Sequence, residues 1–596
     1  MPVPLSAQEP PWKAEARRWG LDEIEIAQLE REGLVVGRES YASPIEAYRP
    51  REVPYFVTSD IALYVFARLL EDSMRPQERA NAVRLRRSLV TAWRKIRDPQ
   101  ITAELSDPLL LAARLRMRRI VAVARLLLGA EPELLPEDRE PVLELVAAIQ
   151  RGTGRAQPTW MGPFDAGFTH IDLERFRPIG IYAGDDELEK FFRAARWLQM
   201  VPFRVRREDE MAALWHLLQI VPWSSRHQGE VQELSGGAPG DWSPDLLADL
   251  EPSFDLEALR TRIAARRATW PRKITLDLPH APETKPSDEE GFRWLPSAMM
   301  PDGPLIHALG STGPLPRVAS LLDIGAALGS HTARSAIGAE RARLVAESSV
   351  GILADPSYFG ETLATLSLLL DPPEPEAPPL FHSEAWHRKA LASAAAGWIQ
   401  TRAVFVRHAQ TLYGTLGSSR DVGFVEPDPR FFEALGALCT KLTGLSLDHE
   451  SAGVLEVTKR AQKLAEIFVR LEGLADQQLR GRELATADCA FYGSLDLELR
   501  NLAREEREQE SPRACEVMRV LGTTDLSIVA GTGRPRALWL LYPWKGELVL
   551  CRGAVLPVHE VEAAHALTHT EWSQRLNEGR DLELPAWLKP IYAHGR

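Results

Sequence analysis

The chain has 596 residues, 45% of them hydrophobic, and a formal net charge of −12 at neutral pH. That apolar fraction is enough to fill one large core or two to three ordinary ones, which excludes a disordered chain. The acidic balance excludes a protein whose main task is gripping polyphosphate, because that affinity comes from Lys and Arg displacing counterions, and nucleic acid is not an expected partner.

The start, "MPVPLSAQEPPWKAEARRWG", lacks the basic and continuous apolar regions of a secretory signal, being interrupted by Glu9, Lys13, Glu15 and Arg17; a cytoplasmic location is the expectation. In "VPYFVTSDIALYVFARLLEDSM" strand-forming residues run into Thr58-Ser59-Asp60. A helix follows in which Ile61, Leu63, Val65, Phe66, Leu69 and Leu70 leave almost no polar face, predicting a central buried helix with Asp60 as its capping carboxylate. From Arg75 to Arg125 thirteen Lys and Arg face four Asp and Glu, which reads first as a helix face paired with acidic neighbours.

Helices are predicted over Leu109 to Leu128 and Lys389 to Leu416, the second with a buried stripe of Leu391, Trp398, Phe405 and Leu412 and a stop at Gly414 and Gly417. Between them, Pro279 to Gly291 and Asp371 to Leu380 read as linkers, with a weaker break at Ser235 to Asp245. "EPDPRFFEALGALCTKL" begins a helix with Asp428 as N-cap and Pro429 at the first helical position. "RALWLLYPWKGELVLCRGAVLPV" reads as a hairpin turning at Lys545-Gly546. The fold class expected is mainly α (α+β): a large multi-helix body with a small antiparallel β element near the C-terminus. Its blocks are a leader and the start of the helical body (1–50), a helical domain (51–280), a connecting block (281–370), a second helical domain (371–520) and a small β-containing region (521–596).

No window approaches the roughly 18 uncharged apolar residues of a membrane span; the best, "ALASAAAGWIQ", is bounded by Lys389 and Arg402. Cys439, Cys489, Cys515 and Cys551 are far apart and show no C-x-x-C pairing, so reduced, buried thiols are expected. "HEVEAAHALTHTEW" offers His559, Glu562, His565 and His569, which on one continuous helix would form a stripe for zinc or iron. Thr568 followed by Glu571 is a capping-box pattern, however, and predicts a helix start that breaks the stripe. His408 faces the buried stripe of its helix and reads as a core histidine before it reads as a catalytic one. "GSTGPLP" and "AGTGRPR" lack the phosphate-loop and dinucleotide patterns, and no G-x-S-x-G elbow is present, so no cofactor is expected.

Six stretches together resemble the bacterial family catalogued as domain of unknown function 3160. They are "FVTSD", "RFRPIGIYAGDDELEKFFRAARWL", "LLDIGAALGS", "RHAQTLYG", "GFVEPDPRFF" and a closing "RGAVLPVHE" followed by "LTHTEW", in the family's order from Phe56 to Trp572. The resemblance implies a largely helical fold, with many relatives exported or lipid-anchored, and it implies no reaction. Relatives carry histidines where this chain has Tyr64, Ala67 and Ile181, and an aspartate in place of Ala409. Of that polar set His408 remains, which marks a divergent member.

Three functions stay open. The first is a non-catalytic binding or scaffold protein with a protein partner, using the basic region from Arg84 to Arg119 or exposed aromatics of the hairpin, Trp539, Tyr542 and Trp544. The second is a hydrolase acting on a polymer in a helical cleft, with Asp60, Asp172, Asp323 or Glu426 as general acid or base near His408; two of those carboxylates would face one cleft about 5 to 10 Å apart. The third is a metalloprotein using His559, Glu562 and His565. Sequence does not give the oligomeric state.

Overall fold

The computed structural model describes residues 9–48, 53–99, 105–165, 167–221, 226–236, 238–239, 242–247, 249–250, 255–270, 290–311, 319–405, 408, 423–445, 452–482, 486–503, 513–520, 526–544, 546–579 and 582–593. Strand Arg536–Trp544 pairs antiparallel with Glu547–Val555, and Trp544 faces Glu547, so the turn falls where the sequence places it. Gly546 has a φ of 85°, the left-handed region that glycine enters without steric cost. Lys545 lies outside the described residues.

This hairpin is the centre of a mixed five-stranded sheet. Its order is Leu34–Ser40, Arg536–Trp544, Glu547–Val555, Tyr55–Val57, Gly423–Val425, with the last two strands joined in parallel. Four of the five sequence blocks therefore contribute strands to one sheet. Both of its faces are covered: Leu538, Leu540 and Tyr542 enter the main core, while Ala537, Trp539 and Leu541 meet Trp12, Ala16, Ile26 and Leu29 from helices Pro11–Arg18 and Glu23–Glu32. The uninterrupted apolar run is the signature of such a doubly covered strand. The expectation of exposed hairpin aromatics is overturned, since Trp539 is 5% and Tyr542 1% exposed and Trp544 is partly buried. A second sheet joins Ala514–Val520, Leu526–Thr532 and Val558–Ala563.

The rest is mainly helical. Helix Ser59–Ile96 has its first residues, Ser59 to Leu70, all buried, as its lack of a polar face predicts. Helix Glu384–Arg402 packs beside it at close range, because Gly397 has no side chain; a Cβ there would lie 2.6 Å from Leu366 and 2.9 Å from Leu63. This helix begins earlier than the sequence predicts and ends at Arg402, followed by a short 3-10 turn, Ala403–Phe405. Leu391, Trp398 and Phe405 are buried as expected, whereas Leu412, Gly414 and Gly417 lie outside the described residues.

Helix Pro108–Leu127 matches its prediction. Helix Pro429–Gly444 has Asp428 accepting from the Phe431 amide and Pro429 in its first turn, and helix His569–Glu578 is closed by the Thr568–Glu571 capping box. Cys439, Cys515 and Cys551 are buried free thiols. The stretch Asp371 to Leu380 is ordered and buries Ala377, so it is part of the body; most of Pro279 to Gly291 lies outside the described residues.

The central strands leave no room at Gly553, where a Cβ would sit 2.8 Å from the Phe56 carbonyl oxygen and 2.8 Å from Thr58 Cγ2. Gly553→Ala is expected to cost about 1–3 kcal/mol in chemical denaturation. Gly473→Ala, on an open helix face, is expected to add about 0.5–1 kcal/mol instead.

Candidate functional site

The parallel pairing of Tyr55–Val57 with Gly423–Val425 brings two acidic positions to one helix end. The Glu426 amide donates to the Val57 carbonyl at 2.9 Å, which sets the Glu426 carboxylate over the start of helix Ser59–Ile96. There Oε2 accepts from the Ser59 amide at 2.7 Å and from Lys389 Nζ at 2.6 Å. Lys389 and Ser393, four apart on helix Glu384–Arg402, face the same junction. Lys389 Nζ also donates to Ser59 Oγ at 3.0 Å and stands 3.3 Å from Asp60 Oδ2. Asp60 Oδ2 accepts from Ser393 Oγ at 2.6 Å, and Oδ1 accepts from the Leu556 amide at 3.1 Å.

The prediction that Asp60 caps its own helix is therefore corrected. The N-cap is Thr58, whose hydroxyl donates to the Ala554 carbonyl instead; the capping oxygen comes from Glu426, far along the chain. One ammonium and two carboxylates are held away from water, with the Lys389 and Asp60 side chains fully buried and that of Glu426 4% exposed. The excess negative charge is met by the amides of Ser59 and Leu556 and by the positive end of the helix. Burial pushes the Asp60 carboxyl above the usual range, against the pull of Lys389 and Ser393. Lys389 Nζ also lies 5.0 Å over the Trp386 ring.

Glu426 also lines a pocket of ≈ 460 Å³, open solvent included, whose wall is Phe381 and Trp386 and whose acidic side is Asp428. Burial pushes the Asp428 carboxyl up to about 6, opposed by the Phe431 amide.

The remaining candidates do not join this group. Asp172 accepts from the Glu174 amide at 3.1 Å and lies 3.9 Å from Arg175. Asp323 forms a capping box with Ser320 and takes two bonds from Arg341, at 2.7 and 2.6 Å. His408 is 2% exposed; its amide donates to the Phe405 carbonyl, its carbonyl accepts from the Ala298 amide, and its ring stacks on Phe405. Arg402, where its helix ends, is about 20 Å along the axis from Lys389. His408 and the Asp60–Glu426 pair thus lie towards opposite ends of helix Glu384–Arg402.

The metal stripe does not form as a helix. Val558–Ala563 is a strand, so His559 and Glu562 point to opposite faces of it. Burial pulls the His559 imidazole down to about 4. His565 lies against the Ala566 carbonyl and 4.0 Å from Glu571. Among the described residues no three His, Cys, Asp or Glu side chains converge as a metal set. Part of the basic stretch is paired within the protein: Arg84 with Glu230, Arg97 with Glu133, Arg116 with Asp209, Arg118 with Glu137 and Arg119 with Asp138.

Lys389 is the residue the sequence reading missed. In the sequence it reads as a charge bounding an apolar segment, as does Arg402, which is buried against Asp302 at 2.7 Å. A lysine four residues before a serine, at the head of a run otherwise apolar, was the available signal.

Fold and site define a mainly helical protein with a composite sheet, organised on a buried lysine–carboxylate centre. A model of the family described as "Protein of unknown function (DUF3160)" matches residues 22–230 and 248–588, and the chain belongs to that family. No curated protein and no solved structure matches it. Among the described residues no helix is long and apolar enough to cross a membrane.

Lys389→Met leaves two buried carboxylates without their counter-ion and is expected to cost about 3–5 kcal/mol, read as a lowered urea midpoint. A second test concerns Glu560, which accepts from the Leu321 amide at 2.7 Å and whose carboxyl burial raises from 4.5 to about 7. The folded chain holds that proton more tightly than the unfolded one, so its contribution is full below about 4.5 and is lost as pH rises towards 7. Glu560→Gln keeps an acceptor for Leu321 and is expected to flatten that part of the stability–pH curve, measured by thermal unfolding between pH 4.5 and 8.

Proposed function

We propose that this chain is a non-catalytic binding or scaffold protein, a divergent bacterial member of its family that works in the cytoplasm. The observation that carries the reading is the employment of the candidate acids. Asp60 and Glu426 do come within about 6 Å of each other, close to the separation in retaining glycosidases. Lys389 stands between them, however, and the Asp60 side chain is fully buried, so the pair does not flank an open cleft. Asp172 and Asp323 are occupied with helix starts and arginines elsewhere, and His408 is remote from the pair. A general acid or base needs a reacting atom within hydrogen-bond reach, and these groups already spend that reach on the fold.

One observation favours a hydrolase instead: Glu426 and Asp428 share a pocket, and Asp428 titrates near 6. The two readings separate in one experiment on the full chain purified under native conditions. The binding reading expects a stoichiometric companion in native mass spectrometry and no turnover of polysaccharide or peptide polymers. Polymer cleavage that disappears in Asp428→Asn would overturn it.

A further inference from the structure

Four of the ten large hydrophobic side chains left exposed among the described residues lie on three neighbouring helices: Val83 and Val90 on Ser59–Ile96, Leu111 on Pro108–Leu127 and Leu143 on Pro136–Arg151. Singly such residues need no explanation, but a concentration of them marks a surface that meets something. Helix Pro108–Leu127 packs against both of the others. Its Arg125 and the Arg97 of the first helix both lie over the Trp93 ring, at 5.5 and 5.4 Å, and its Arg118 and Arg119 hold Asp138 of the third. The three are tied into one layer.

The charges beside the exposed apolar residues have opposite sign on the two outer helices. On Ser59–Ile96 the exposed Val83, Arg87, Val90 and Arg94 are spaced four, three and four apart, which makes one stripe. On Pro136–Arg151 the exposed Glu140, Leu143, Glu144 and Ala147 form the acidic counterpart. Arg79 and Arg84 are engaged by Asp185 and Glu230, but among the described residues no acid reaches Arg87 or Arg94, and no cation reaches Glu140 or Glu144.

The occupant must match both stripes. An extended polyanion is repelled by the net charge of −12. An acidic peptide would cover the arginines and leave the glutamates and Leu143 bare. A second copy of the chain covers both at once: a two-fold axis passing over Pro108–Leu127 sets each basic stripe on the acidic stripe of the other molecule, beside Leu111. The overall charge opposes such a pairing, so it depends on local opposition of sign.

We propose that helices Ser59–Ile96, Pro108–Leu127 and Pro136–Arg151 form a self-complementary face on which a second copy of this chain docks. Arg87 and Arg94 of each copy meet Glu140 and Glu144 of the other, with Val83 and Val90 against Leu143. The inference goes beyond the binding reading above and does not depend on it.

The test is sedimentation velocity of the full chain from about 1 to 200 μM, which spans the affinities of small interfaces. A reversible monomer–dimer equilibrium is expected. Two variants reverse one stripe each, Arg87→Glu with Arg94→Glu, and Glu140→Lys with Glu144→Lys; all four positions are exposed, so the fold is kept. Each variant alone is expected to dimerise about tenfold more weakly or less well still, although the second brings the net charge closer to zero. An equimolar mixture of the two is expected to recover the dimer, since both contacts in the mixed pair are again opposite in sign. A monomer throughout the range, a dimer indifferent to either variant, or no recovery on mixing chains that keep the parent unfolding transition would overturn the proposal. A companion of different mass in native mass spectrometry beside an otherwise monomeric chain would sink this face alone and leave the binding reading standing.

Discussion

The ammonium of Lys389 is the contact on which the architecture turns. Around it meet the start of the long helix through Ser59 and Asp60, the edge strand through Glu426, and the turn beyond the central hairpin through the Leu556 amide. Apolar surfaces as extensive as those of Ser59 to Leu70 tolerate small slides, because similar volumes pack similarly well. A charge removed from water does not tolerate them, since an ångström of displacement leaves it unpaired. The polar centre therefore fixes the register of elements whose apolar faces alone would leave it loose. The same geometry explains why two acids within catalytic distance serve the fold: what lies between them is a side chain of the protein itself.

Three of the stretches by which the chain resembles its family meet at this place. "FVTSD" supplies the strand and helix start, "GFVEPDPRFF" supplies Glu426 and Asp428, and "RGAVLPVHE" supplies the Leu556 amide. The family match spans the chain almost from end to end, as expected of a body whose parts are joined across such distances.

Much of the fold was legible because it is written in local chemistry. Asp428 before Pro429, Thr568 before Glu571, and a glycine at the hairpin turn each act within four residues of themselves, and each is found where the sequence places it. The centre was not legible, because its contacts are remote: Ser393 reaches Asp60 and Glu426 reaches Ser59 across hundreds of residues. Asp60 reads as a structural carboxylate in the sequence, but nothing local names its partners. Two other misreadings were avoidable on local grounds. In "VHEVEA" Glu560 and Glu562 alternate with Val561 and Ala563, the mark of a strand, which puts His559 and Glu562 on opposite faces. In "RALWLLYPW" the lack of any polar alternation already indicated a strand buried on both sides, which is no place for a display of aromatics.

The composite sheet also bears on how the chain is made. Leu34 pairs with Leu540, and the Ala593 amide donates to the Val36 carbonyl. At about 5–20 residues per second a ribosome needs roughly 25 to 100 s to travel from the first strand to its partner. Until then strand Leu34–Ser40 has an open edge and apolar side chains with nothing to cover them, the condition in which nascent chains aggregate or are taken up by chaperones.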